Sequence, residues 1–221
     1  LPVIVTSAVL FDLDGTFADT APDLGAALNH LLNLHGKPPL PLEIIRPQAS
    51  HGSLGLLKLG FNIGPDAPHF VDLRETFLDY YANHICVHTT LFPGMAELIE
   101  TLEQRGLPWG IVTNKPHRFT LPLMQELGYA QRAACLISGD TCARAKPFPD
   151  PLLKASEILK IAPQRCLYLG DDKRDAEAAH AAGMRCIIAH YGYLSAREEL
   201  SSWPAHGGID LPLQLLRYLV D

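Results

Sequence analysis

Five short, strand-like runs along this chain limit what it can fold into more than any other feature. They are Ala8-Val9-Leu10-Phe11 before Asp12, Ile111-Val112 before Thr113-Asn114-Lys115, Cys135-Leu136-Ile137 before Ser138-Gly139-Asp140, Cys166-Leu167-Tyr168-Leu169 before Gly170-Asp171-Asp172, and Arg185 to Ala189. The runs are almost continuously apolar and rich in β-branched residues, so they read as strands buried on both faces. Helical patterns lie between them. Gly94 to Arg105 carries Met95, Leu98, Ile99 and Leu102 on one face, with Gly106 as its stop. Leu121 to Leu127 ends at Gly128, and Ala176 to Ala182 at Gly183. Such alternation predicts an α/β fold, a parallel sheet covered by helices on both faces. Ligands of such sheets bind beyond the carboxyl ends of the strands. The polar residues fall at those ends, so they can converge on one site.

The first junction, Asp12-Leu13-Asp14-Gly15-Thr16, carries the sharpest chemical signal. On a continuing strand the two carboxylates would share a face and repel. The strand therefore stops and presents both in a turn. A divalent metal would relieve the repulsion, and a carboxylate pair can divide the work of nucleophile and general acid. Taken alone, the five residues fit a solvated surface turn equally well. Likewise Thr113 fits a strand-end hydroxyl, Lys146 a loop cation, and Asp171 and Asp172 helix N-caps.

Taken together, these motifs resemble the haloacid dehalogenase superfamily of phosphotransferases. That pattern is Asp-x-Asp-Gly-Thr, a Thr or Ser after the second strand, a Lys, then Gly-Asp with further acids. It appears here in order as Asp12 to Thr16, Thr113, Lys146 in Lys146-Pro147-Phe148-Pro149-Asp150-Pro151, and Gly170-Asp171-Asp172 with Asp175. The resemblance spans nearly the whole chain. It implies a Rossmann-like parallel-sheet core and an Mg²⁺-dependent phosphomonoesterase. Asp12 is then the nucleophile and Asp14 the general acid and base. Thr113 and the backbone N–H of Asn114 bind phosphate oxygens, and Lys146 neutralises charge. The implied metal ligands are Asp12, the backbone carbonyl of Asp14, and Asp171. Asp172 and Asp175 stand near enough to supply or orient another ligand.

The stretch between the first and second strands is too long for a simple crossover. Pro22 to His35 places Leu24, Ala27, Leu28, Leu31 and Leu32 at helical spacing. Phe70 to Ile85 does the same with Phe77, Leu78 and Tyr81. Between them stand a proline-rich turn, 38–41, and a small-residue stretch, Ser50-His51-Gly52-Ser53. The expected organisation is a catalytic core of 1–17 and 89–221 with a helical insert at 18–88. The insert resembles the family's mobile cap, which implies a lid over the substrate with Ser50, His51 and Gly52 as substrate contacts. A helical ornament or a dimer contact is the plainer reading.

Within the superfamily the resemblance is strongest to phosphoglycolate phosphatases and their near relatives, the N-acetylmuramic acid 6-phosphate phosphatases. Phe11 to Thr16, Asp19-Thr20-Ala21-Pro22-Asp23 and Val112-Thr113-Asn114-Lys115-Pro116 carry it. Trp109-Gly110, Leu123-Met124 and Tyr191-Gly192-Tyr193 lean toward the second group. His51 and Phe17 depart from a common glycine and leucine. A β-phosphoglucomutase-like transferase shares these motifs and is the alternative. A dehalogenase would need neither Asp14 nor Mg²⁺, and a non-enzymatic binder would have lost a motif residue.

Composition restricts the partners. The 221 residues are 48% hydrophobic and 19% charged, as in globular enzymes, and the net charge of -6 comes without a basic stripe, which argues against nucleic acid. No apolar run approaches the roughly 20 residues of a membrane span. The start, Leu1 to Val5, lacks a signal-peptide pattern and an initiator Met. Five cysteines without zinc spacing suit a reducing cytoplasm. The expected partner is a small phosphate monoester, and the expected state a monomer or weak dimer.

Overall fold

The computed structural model describes residues 5–195 and 199–219. The reading of Leu1 to Val5 falls largely outside them. Eight strands and eight α-helices are present among the described residues. In chain order they are β1 (Ala8–Phe11), β2 (Ala18–Asp19), α1 (Ala21–Leu34), α2 (Leu42–Ile45), α3 (Gly52–Phe61), α4 (Phe70–Asn83), β3 (Thr90–Leu91), α5 (Met95–Gln104), β4 (Trp109–Val112), α6 (His117–Glu126), β5 (Cys135–Ile137), α7 (Asp150–Leu159), β6 (Cys166–Gly170), α8 (Lys173–Ala182), β7 (Arg185–Ala189) and β8 (Gly208–Ile209). None of the described helices is long and apolar enough to cross a membrane.

Six strands form one parallel sheet in the order β5-β4-β1-β6-β7-β8. The chain runs outward from β1 through β4 to β5, then returns to the other side of β1 at β6. Strand order therefore reverses at β1, and a crevice opens there at the carboxyl ends. Every residue of β1, β4 and β6 is buried, which is why these runs lack the polar alternation of a one-sided sheet. Phe11, Phe17, Trp109 and Tyr129 pack edge to face or stacked, with ring centroids 5.4–6.4 Å apart. Cys135, Cys166 and Cys186 are free and buried as core residues. Burial pushes the Cys135 thiol up to about 12 and Cys166 up to about 11, so both are inert small apolar groups here.

The sequence misses some elements. It places no strand at Gly208–Ile209, where two residues carry too little pattern. It also reads Ser50 to Ser53 only as a small-residue stretch. The chain instead makes a 3-10 turn over Arg46–His51, and Gly52 opens α3. Three glycines in α3 hide its helical character. Gly60 is small because α1 lies against it: a Cβ there would stand 2.9 Å from Leu28 Cδ1.

The chain divides into two compact units, Leu1–Ala18 with Leu91–Asp221, and Asp19–Thr90. The second unit is helical. Its α1 packs on α3 and α4, burying Leu24, Leu28, Leu31, Leu56, Leu57, Phe77 and Tyr81. Its two ends are tied by Asp23, which is 1% exposed. The Asp23 carboxylate accepts from the backbone N–H of Val87, His88 and Thr89 at 2.9–3.0 Å and from Thr89 Oγ1 at 2.7 Å.

Candidate active site

The site grows from the end of β1. Asp12 N still donates to Leu169 O at 2.9 Å, so Asp12 continues the ladder by one residue. The chain then turns back on itself. Gly15 adopts φ +83° and donates to Ala18 O, while Phe17 and Ala18 donate to Leu13 O. Glycine is needed twice over at position 15: the backbone is left-handed, and a Cβ would collide with Asp171 Oδ2. At the end of β4, Thr113 N donates to Ile137 O and extends that ladder in the same way. Asp171 follows the last residue of β6. The strand ends thus bring Asp12, Thr113 and Asp171 to one edge of the sheet.

Three buried carboxylates meet there. One oxygen from each of Asp12, Asp171 and Asp175 lies within 4.8 Å of the others. Asp171 accepts from Thr16 Oγ1 and from Tyr193 N, both at 2.8 Å. Gly192 lets that second contact form, since a Cβ on it would strike Asp171 and the Gly15 carbonyl. Asp175 Oδ2 accepts from Asp172 N at 3.0 Å, and its Oδ1 lies 2.7 Å from Lys146 Nζ. Asp172 has a different task. It is the N-cap of α8, accepts from Arg174 N, and pairs with the Arg174 guanidinium at 2.6 and 2.8 Å. Of the two neighbouring acids, Asp175 joins the cluster, while Asp172 caps the helix and holds Arg174.

Lys146 is the cluster's buried cation. Its ammonium donates to Val112 O, Tyr168 Oη and Asp175 Oδ1 at 3.1, 2.8 and 2.7 Å. It also meets Asp12 Oδ1 at 2.9 Å as an ion pair outside hydrogen-bonding alignment. That buried oxygen has no hydrogen-bond donor among the described residues. The backbone of Lys146 is held by the Asn114 side chain, which donates to Lys146 O and accepts from Lys146 N, both at 2.9 Å.

The electrostatics follow from crowding. Burial first, then Asp175 and Asp14, raise the Asp12 carboxyl from 3.8 to about 7, against the lowering pull of Lys146. Burial, Asp12 and Asp175 push Asp171 well above the carboxylate range. Burial pulls Lys146 down, but Asp12 and Asp175 outweigh it and hold its ammonium above the usual value. One lysine does not offset three carboxylates. Converging hard oxygens, one of them buried without an aligned hydrogen-bond donor, suit a divalent cation such as Mg²⁺.

Asp14 is half-buried and pairs with Lys115, Nζ to Oδ1 at 2.9 Å. Thr113 Oγ1 accepts from Lys115 N at 3.1 Å. Asp12, Asp14, Thr113, Asn114 and Asp171 therefore belong to the core unit's strand ends, and Lys146 reaches them from the loop between β5 and α7. Ser50, His51 and Gly52 lie in the helical unit, with His51 exposed. Sequence reasoning passes over Thr16, Tyr168 and Tyr193 as partners of the acids and lysine. A lone tyrosine in the apolar β6 run is the signal that marks Tyr168.

An α/β core with clustered acids and a buried lysine at its strand switch point is the frame of a phosphoryl-transfer enzyme. The chain belongs to the haloacid dehalogenase-like hydrolase family, whose pattern it matches over residues 9–189. It is a phosphoric monoester hydrolase by that membership and by its phosphatase relatives. It is 42% identical over 214 residues to the N-acetylmuramic acid 6-phosphate phosphatase of Pseudomonas aeruginosa, covering 97% of this chain and 93% of that one. It is also 42% identical over 208 residues to the phosphoglycolate phosphatase of Xanthomonas campestris pv. campestris, covering 94% of each. Among solved structures, a predicted phosphoglycolate phosphatase from Haemophilus somnus superposes with a TM-score of 0.83 at 25% identity, covering 96% of this chain and 97% of that one.

Proposed function

We propose that this enzyme is an Mg²⁺-dependent phosphomonoesterase that hydrolyses a small, carboxylate-bearing organic phosphate through an aspartyl-phosphate. The observation that carries this reading is the convergence of Asp12, Asp171 and Asp175 within 4.8 Å beside Lys146. Asp12, the backbone carbonyl of Asp14, and Asp171 would hold the metal. Asp175 sits against Lys146 and the Asp172 backbone and orients the set. Bound there, Mg²⁺ supplies charge that offsets the crowded carboxylates and the phosphoryl oxygens.

In the first half-reaction an Asp12 oxygen forms a bond to phosphorus as the bond to the leaving oxygen breaks. The electron pair leaves with that oxygen, which takes a proton from Asp14. In the second, water attacks phosphorus, the Asp12–phosphorus bond breaks, and Asp14 receives the proton of water. Thr113 Oγ1 and the N–H groups of Asn114 and of the Asp12 turn bind the phosphoryl oxygens, and Lys146 neutralises charge between Asp12 and the phosphoryl group.

The substrate class rests on the relatives. In the first reading it is 2-phosphoglycolate. In the second it is N-acetylmuramic acid 6-phosphate, for which the Pseudomonas relative 42% identical to this chain is named. Both carry a second anion. The role given to Ser50, His51 and Gly52 in reading it rests on the likeness of the insert to a helical cap. The test is a side-by-side measurement of kcat/KM for these two compounds, glucose 6-phosphate and β-glucose 1-phosphate. One of the two carboxylates should lead by at least about tenfold. A neutral sugar phosphate leading by that margin would refute the substrate class and leave the phosphatase intact. A requirement for glucose 1,6-bisphosphate would move the enzyme to the mutase reading.

A further inference from the structure

Two lysines serve this strand edge, and the mechanism above uses one. Lys115 is the other. Its side chain is only 6% exposed and its Nζ stands 2.9 Å from Asp14 Oδ1. Burying an ammonium is costly, so it is retained where its partner needs it. Its backbone is held from both sides. Lys115 N donates to Thr113 Oγ1 at 3.1 Å, and Lys115 O accepts from Gly139 N at 2.9 Å and Thr120 Oγ1 at 3.0 Å. Gly139 makes this clamp possible, because a Cβ there would drive into the Asn114 carbonyl. The end of β5, the start of α6 and the phosphate-side Thr113 thus converge to aim one cation at one carboxylate. A solvated surface lysine needs none of this.

We propose that Lys115 is a positioning residue for Asp14. It holds Oδ1, and so fixes the plane of the carboxyl group and the line along which Oδ2 exchanges its proton. It touches no reacting atom in this role. The inference rests on the acid–base role of Asp14 proposed above. If Asp14 is left to rotate, proton delivery to the leaving oxygen suffers, and so does proton removal from the attacking water. Attack of Asp12 on phosphorus does not.

That asymmetry gives a readout that a merely structural role would not move. A 4-nitrophenolate leaving group departs without a proton, whereas an alkoxide needs one. In Lys115→Met, kcat/KM for the better of the two alkyl phosphates named above should fall by at least about thirtyfold, a large part of the roughly 10²–10⁴-fold that general acid catalysis contributes. With 4-nitrophenyl phosphate, kcat/KM should stay within about threefold, because that constant reports only the steps through leaving-group departure. Hydrolysis of the aspartyl-phosphate should slow for both substrates. Rapid mixing with 4-nitrophenyl phosphate should then give a burst of nearly one equivalent of 4-nitrophenolate. Asp14→Asn should reproduce the contrast, and Lys115→Arg, keeping a cation, should recover most of the lost rate. Lys115→Gln repeats the test if the apolar variant does not fold.

An equal loss on both substrates without a burst would overturn the proposal. So would a rise in KM confined to carboxylate-bearing substrates, which would make Lys115 a substrate reader. A faster variant would overturn it too, by making the ion pair a restraint. Wild-type enzyme inactive on every phosphate ester, or Asp14→Asn without the contrast, would instead remove the mechanism on which the inference stands.

Discussion

Asp23 in the helical unit and Asp12 in the core unit are both buried carboxylates, yet their surroundings are opposites. Asp23 is ringed by donors: three backbone N–H groups and a hydroxyl close on its two oxygens. It seals the place where the chain leaves and re-enters the insert. Asp12 is ringed by charge. Two more carboxylates reach its lysine-bound edge, and its Oδ1 lacks an aligned donor. The difference separates a carboxylate that holds a fold from one that is held by a fold. Donors in full supply make a buried acid content as it stands. Like charges in short supply of donors make one that must bind something.

Replacing each acid in turn breaks the comparison most sharply. Asp12→Asn should lower phosphate release by at least about 10⁴-fold, since an amide cannot serve as the nucleophile, while circular dichroism and the thermal transition stay near wild type. Removing one negative charge from a crowded site is no burden on the fold. Substantial turnover by a folded variant free of deamidation would end the aspartyl-phosphate mechanism. Asp23→Ala should do the reverse for stability. It strands three backbone N–H groups and should cost about 3 kcal/mol, read as a shift in the denaturant midpoint at unchanged slope. If Asp23→Ala is as stable as wild type, the donor ring is not what ties the insert's ends.

Metal and pH sharpen the same contrast with a smaller effect. Chelation should stop turnover and Mg²⁺ restore it. Ca²⁺ should inhibit, because its longer and looser coordination would misdirect Asp12. Full activity in chelator would contradict the site. The sign of the pH effect follows from Asp12. Its folded value of about 7 lies above its unfolded value near 3.8. In chelated protein its contribution to stability is therefore full below about pH 4 and is lost as pH rises through 7. Mg²⁺ competes with the same proton, so its stabilisation grows over that interval. The Tm gap between Mg²⁺-loaded and chelated protein should widen by about 5 °C from pH 5.5 to 8. A gap that narrows would mean that the raised carboxyls do not bind the ion.

Much of this was legible in the residues. The buried strands announced themselves as apolar runs, because a sheet covered on both faces leaves no polar alternation to confuse the pattern. The amphipathic helices α1, α4 and α5 showed their apolar faces, and α5 its glycine stop as well. The carboxyl-end position of Asp12, Thr113 and Asp171 follows from the apolar runs alone, since each stands at or next to the end of its run, whereas the strand order that makes it a switch point came from the sheet. Helix α3 was obscured because its three glycines dilute its pattern, and Gly60 at least is there for close packing against Leu28. The two residues of β8 are too few to carry one.

What distance in the sequence concealed, the tertiary structure decided. Asp172 and Asp175 look alike as acids after Gly170. Only the start of α8 separates them, spending Asp172 on the helix cap and on Arg174 and turning Asp175 toward Lys146. Thr16 and Tyr193 meet Asp171 across 155 and 22 residues, and Lys115 meets Asp14 across 101. The sequence by itself determined the α/β class and the chemistry that residues next to strand ends can offer, because both depend on local pattern. Which acid is held by which donor is a property of side chains that meet only once the sheet has formed.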